Sequence, residues 1–181
     1  MSDEKSTSGQ VDENPLRAEK RRKLGELRAA GIDPYPHAFE RTSTIAPLIA
    51  KYGTELVAGD VRENDRFRIA GRLMTKRPMG KAAFFNVQDQ SGSIQIYLKT
   101  DELAPLDAKA FDLIDLGDIV GLEGFVFKSK KGELSLHAKE FKILCKSLEP
   151  LPEKYHGIQD IEIKYRHRHL DLISDAESRD V

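Results

Sequence analysis

Cysteine is nearly missing: Cys145 is the only one in 181 residues, so no internal disulfide can form and a reducing, cytoplasmic setting is expected. Standing near the end of an apolar run, it reads as packing rather than as a nucleophile. No apolar stretch approaches the roughly 20 residues of a membrane span, so no membrane contact is expected. The first residues, Met-Ser-Asp-Glu-Lys-Ser-Thr-Ser-Gly, contain no apolar stretch, so no secretory leader is expected. There is no glycine-rich phosphate loop of the Walker type, no zinc-ligand spacing and no nucleophile–base motif. His167 and His169 lie two residues apart, the wrong interval for one helical face, and no thiol or carboxylate pattern surrounds them. No metal and no catalytic residues are therefore expected within the chain.

What is present is a soluble, globular composition, 39% hydrophobic and 33% charged, with a net charge of −1. The charges are segregated. Residues 14–30 carry Arg17, Lys20, Arg21, Arg22, Lys23 and Arg28 against Glu19 and Glu26. Residues 66–81 hold six basic groups and no acid, whereas residues 101–123 hold seven acids and only Lys109. Near-neutrality argues against a nucleic-acid partner, but separated positive patches argue for one.

Along the chain, residues 1–13 are polar and expected to be disordered. A helical extension is expected over 14–60. Asn14-Pro15 supplies a cap and a first-turn proline, and Gly31 supplies the stop. The apolar stripe of this helix (Leu16, Leu24, Leu27, Ala30) is thin. Its basic face is equally well a solvated surface or an arm reaching phosphates through Arg17 and Arg21. A short helix over 44–52, ended by Gly53, follows.

The stretch 61–147 alternates in the manner of strands. A first strand covers 67–74, and Arg77-Pro78-Met79-Gly80 has proline and glycine where a type I turn favours them. Two strands then flank the Ser91-Gly92 turn. In the first, Ala83, Phe85 and Val87 share the core face, leaving Phe84, Asn86 and Gln88 outside. In the second, Ile94, Ile96 and Leu98 point in, and Ser93, Gln95 and Tyr97 point out. A short helix with Leu106, Ala110, Phe111 and Ile114 on one face precedes a fourth strand over 118–128. A fifth begins at Glu133 and runs towards Leu144. An exposed Phe84 beside amides and a basic turn is how a nucleic-acid base would be held.

Three strands, a helix and two strands make the element order of a five-stranded OB-fold, a mostly β Greek-key barrel. That fold binds oligonucleotides on strands 2 and 3 and in the loops between strands 1–2 and 4–5. Those loops carry Lys76, Arg77 and Lys81, and Lys128, Lys130 and Lys131. An SH3-like barrel is disfavoured by the helix before strand four. Arg72, Lys76, Lys81, Lys130 and Lys131, with Arg17 and Arg21, are the candidate phosphate contacts. Residues 148–181 read as a proline-punctuated linker and the start of a further domain. Asp160 caps a helix through Ile173, and Ser174-Asp-Ala-Glu177 forms a capping box. That start signal, four residues from the last, leads us to expect a fragment of a longer protein.

Ile69-Ala-Gly-Arg-Leu-Met-Thr-Lys-Arg-Pro-Met-Gly-Lys-Ala-Ala-Phe-Phe85 and Gln88-Asp-Gln-Ser-Gly-Ser-Ile-Gln-Ile-Tyr97 resemble the anticodon-binding domain of bacterial class II lysyl-tRNA synthetases. Leu116-Gly-Asp-Ile-Val-Gly121 and Lys131-Gly-Glu-Leu-Ser-Leu-His137 continue the likeness. Pro152-Glu-Lys-Tyr-His-Gly-Ile-Gln-Asp160 and Tyr165-Arg-His-Arg-His-Leu-Asp-Leu-Ile173 resemble the lead-in to the catalytic domain. Aspartyl and asparaginyl relatives share the strand pattern, and residues 155–173 point to the lysyl enzyme. The resemblance implies a lysine tRNA partner with a UUU-type anticodon. Phe84 would stack the middle uracil, Arg77 and Gln95 would read its edge, and Glu133 would read a flanking base. Arg77, placed in a turn, fits less well. The implied parent is an ATP- and Mg²⁺-using homodimeric lysine–tRNA ligase, whose catalytic core this chain lacks, so the chain alone is expected to be inactive. The rival readings are a stand-alone OB module for single-stranded nucleic acid and an OB-fold used for protein contacts.

Overall fold

The computed structural model describes residues 14–151, 161–174 and 178. The expected disorder of residues 1–13, the Asp160 cap and the Ser174–Glu177 capping box fall wholly or largely outside them. The elements run α1 (Pro15–Ala29), α2 (Ile45–Glu55), β1 (Val61–Met79), β2 (Ala82–Gln88), β3 (Ser93–Lys99), α3 (Pro105–Leu113), β4 (Ile119–Lys128), β5 (Leu134–Cys145), α4 (Ile161–Arg166) and α5 (Arg168–Ser174). The five strands close into a barrel in the order β1-β2-β3-β5-β4. Only the β3–β5 pair is parallel. This is the OB-fold that the element order predicts. No helix among the described residues is long and apolar enough to cross a membrane.

Strand alternation builds the interior. Ile69, Leu73, Ala83, Phe85, Val87, Ile96, Leu98, Val120, Leu122, Val126, Leu136 and Phe141 are all at most 1% exposed. Both faces of the central hairpin are as the alternation predicts. α3 then plugs one mouth, with Phe111 set between Phe85 and Phe141 at centroid distances of 5.5 and 5.4 Å. Its Leu106 does not join the buried face and is 57% exposed. At the β4–β5 register shift only glycine fits position 124, because a Cβ there would lie 2.0 Å from the His137 carbonyl oxygen.

Three expected boundaries move. β1 continues to Met79, whose partner is Ala82, so the hairpin turns over Gly80-Lys81 rather than over Arg77-Pro78. Gly80 sits at φ +62, the left-handed region such a tight turn needs. α2 runs through Gly53 to Glu55, because its last carbonyls have a partner: Lys128 Nζ donates to Gly53 O and Leu56 O at 2.8 and 2.9 Å. Its first amides are capped by the β2–β3 turn, Ile45 N donating to Asp89 Oδ2 and Ala46 N to Ser91 Oγ, each at 2.9 Å. The helix expected up to Ile173 is two helices, broken at His167.

α1 begins as predicted, with Asn14 Oδ1 accepting from Leu16 N. Its basic face is largely spent within the protein. Lys20, 7% exposed, donates to Leu116 O at 3.0 Å and Ser147 O at 3.2 Å. Lys23 pairs with Asp115 Oδ1, and Arg17 with Glu149 at 2.6 Å. The fully buried Lys146 joins Asp115 at 2.6 Å and Asp118 at 2.8 Å. Burial works to raise the Asp115 carboxyl, but hydrogen bonds from Lys146 and Lys23 outweigh it and hold the group below its ordinary value. One acid of the stretch 101–123, Asp115, thus ties the basic helix to the barrel through Lys23, and others of the stretch pair with Arg68, Lys99, Lys139, Lys142 and Lys146.

Candidate nucleic-acid interface

Cross-strand partners in a sheet share a face, so the register defines which side chains point away from the barrel interior together. One row crosses the barrel as Arg77, Phe84, Tyr97, His137 and Phe125. The next runs Thr75, Asn86, Gln95, Ser135 and Phe127. Phe84 is partly exposed, and its ring lies against Tyr97 at 4.9 Å between centroids. Tyr97 meets His137 at 5.0 Å, and His137 meets Phe125 at 4.9 Å. Four rings therefore run side by side across β2, β3, β5 and β4, with Phe84 at the end of the row next to Arg77.

Arg77 is a strand residue, exposed and directly opposite Phe84. A register shift between Leu73 and Thr75 puts it there. The same shift sends Lys76 inward, opposite Phe85. Its ammonium donates to Phe111 O at 2.8 Å and lies 4.3 Å above the Phe111 ring. Burial pushes this amine below its ordinary value. Lys76 is thus a plug-holding residue rather than a phosphate contact.

Gln95 stands one row from Phe84. Its Nε2 donates to Glu133 Oε2 at 2.9 Å, and its Oε1 accepts from Ser135 Oγ at 3.0 Å. Glu133, expected to reach a flanking base, is instead bonded to Gln95. Of the candidate phosphate contacts, Lys81 is exposed in the β1–β2 turn, and Lys130 and Lys131 are exposed in the β4–β5 turn. Lys128, from the same loop cluster, is committed to α2. Arg72 lies elsewhere, donating to Gly117 O at 2.8 Å and lining a cleft with Gln88, Asp89, Leu172 and Ile173. Arg17 is tied to Glu149, while Arg21 is exposed on α1. Among the described residues no group of three His, Cys, Asp or Glu side chains is arranged to hold a metal ion.

Sequence reasoning missed His137, Phe125 and Phe127, and gave Tyr97 a face but no role. Alternation alone signals Tyr97. The other three join it only through the β3–β5 and β4–β5 pairings, which no local pattern reveals. Beside this row Glu102 bonds His137 Nε2 at 3.0 Å, Lys99 at 2.9 Å, and Lys139. Hydrogen bonds from Lys139 and Lys99 lower the Glu102 carboxyl to about 2. Burial, helped by Lys139, pushes His137 below the usual imidazole value despite Glu102.

Residues 67–144 match the family described as "OB-fold nucleic acid binding domain", the tRNA anti-codon model. The lysine–tRNA ligase of Pelotomaculum thermopropionicum is 44% identical over 182 residues, covering 100% of this chain and 35% of the relative. That of Bacillus cereus strain B4264 is 49% identical over 162 residues, covering 89% and 32% respectively. The Bacillus mycoides lysine–tRNA ligase is 48% identical with the same coverage, 89% and 32%. The chain spans about a third of the length of the curated relatives it matches.

Proposed function

We propose, from the match of residues 67–144 to the OB-fold nucleic acid binding family and the likeness of the chain to part of a lysine–tRNA ligase, that it recognises the anticodon of a lysine tRNA on the outer face of β2 and β3. The observation that carries this reading is the partly exposed Phe84, flanked by Arg77 on β1 and Tyr97 on β3, with the Gln95 carboxamide one row away. A splayed-out base stacks on Phe84, while Gln95 and Arg77 supply hydrogen bonds to its edge. Lys81, Lys130 and Lys131, in turns at either side, take the backbone phosphates. Activation of lysine with ATP and Mg²⁺, transfer to tRNA and dimer formation belong to the rest of such a ligase, working in the cytoplasm.

The test is titration of the chain with two RNA hairpins whose loops carry UUU or UAU. Tighter binding of the UUU hairpin, lost in Phe84→Ala and Gln95→Ala, supports the reading. Equal affinity would reduce the site to a general single-strand binder, and no salt-sensitive binding of either hairpin would exclude a nucleic-acid partner.

A further inference from the structure

Gln95 presents a problem that its geometry solves. A primary carboxamide carries a donor on one side and an acceptor on the other, and turning it by 180° exchanges them without changing its shape. Uracil offers an acceptor at O4 beside a donor at N3–H. Cytosine offers the reverse, a donor at N4–H beside an acceptor at N3. A free amide can therefore pair with either base by flipping. An amide fixed in one orientation pairs with only one of them.

We infer that Glu133, with Ser135, fixes the Gln95 carboxamide in one orientation and so makes this site choose uracil over cytosine. This rests on the reading that Gln95 faces the middle base. The Glu133 carboxylate only accepts, so at 2.9 Å it requires the NH₂ end of Gln95 beside it. In the flipped amide, Oε1 would face Oε2, two acceptors with no proton between them. Ser135 is fully buried, and its hydroxyl donates to Oε1 at 3.0 Å on the other side. That hydroxyl can also reverse its role, so Glu133 sets the direction and Ser135 completes it. After both bonds, Nε2 retains one N–H and Oε1 one lone pair, a single donor–acceptor pair of fixed sense. Neither Glu133 nor Ser135 has to touch the RNA; both are positioning residues.

The experiment compares hairpins with UUU and UCU loops, titrated against the 181-residue chain and its variants, with thermal melts to show that each is folded. Glu133→Ala is expected to cut the UUU:UCU affinity ratio by about tenfold, the lower range of one bidentate base contact, mainly through gained UCU binding. Glu133→Gln, whose amide can turn to donate as readily as accept, no longer forces the sense of Gln95 and is expected to lose much of the ratio as well. Gln95→Ala is expected to collapse it. A Glu133→Ala variant that keeps the ratio, or weakens both hairpins equally, while Gln95→Ala collapses it, would overturn the orienting role and leave the anticodon reading intact. A ratio unchanged in Gln95→Ala would overturn both.

Discussion

Replacing Phe85 and, separately, Phe84 by alanine separates the two faces of β2 in a single pair of variants. Phe85 is 1% exposed and its ring packs on Phe111, which in turn packs on Phe141. Truncation there removes the ring of the barrel wall on which the plug packs and leaves a cavity, a loss of about 3–5 kcal/mol. For a chain of this size that is a fall of about 6–20 °C in Tm, and a large part of the roughly 5–15 kcal/mol that holds such a domain together. Phe84 loses mainly its contact with Tyr97 at 4.9 Å, about 0.5–1.5 kcal/mol, so its melt should move by only a few degrees. Its RNA binding should weaken by about 1–3 kcal/mol, the worth of one base–aromatic stack. Thermal melts followed by circular dichroism and hairpin titrations on the folded variants read both quantities. An early melt for Phe84→Ala, with Phe85→Ala folded but poor at binding, would show the strand to be inside out.

Lys146→Met should destabilise the chain by about 3–5 kcal/mol in urea unfolding, because the buried Asp118 loses its ammonium and the partly buried Asp115 loses one of its two. RNA affinity should fall with salt, and each of Lys81→Ala, Lys130→Ala and Lys131→Ala should reduce the log–log slope by about 0.7, one counterion site on a single strand. Lys76→Ala, at an ammonium held by Phe111 O, should leave that slope unchanged while lowering Tm. Glu102, ordinarily near 4.5 and lowered to about 2 in the fold, adds stability that is complete above its unfolded value and disappears as pH falls from about 4.5 to 2. Melts across that range should therefore drop less steeply for Glu102→Gln.

The alternation of Ala83 to Gln88 and Ser93 to Leu98 showed the inner and outer faces because each barrel strand buries one side only. It placed Phe84 and Gln95 correctly without any knowledge of their neighbours. Lys76 and Arg77 were misjudged for one local reason. Pro78 and Gly80 read as the corner of a turn and placed both residues in a loop, whereas the strand runs on through them and the register shift between Leu73 and Thr75 turns Lys76 inward and Arg77 outward. A bulge leaves little mark in a sequence. The bond from Gln95 to Glu133 was illegible for another reason, since it joins residues 38 apart through a parallel pairing. The basic face of α1 read as either solvated surface or a phosphate-reaching arm because its partners, Asp115, Leu116 O and Ser147 O, become neighbours only on docking.

β1 serves two neighbours, pairing with β4 from Val61 to Arg72 and with β2 from Arg72 to Met79. The row that starts at Arg77 therefore returns, after five strands, to the same strand at Arg66, opposite Phe125. A sheet closed in this way offers no open edge and no hinge across which its outer face can flex. Under the proposed function, conformational adjustment then falls to the RNA, whose loop would have to unstack its bases before they reach Phe84. Association should accordingly track how readily a loop opens, so that loop modifications which stiffen or loosen base stacking alter the on-rate even when every contact with the protein is retained.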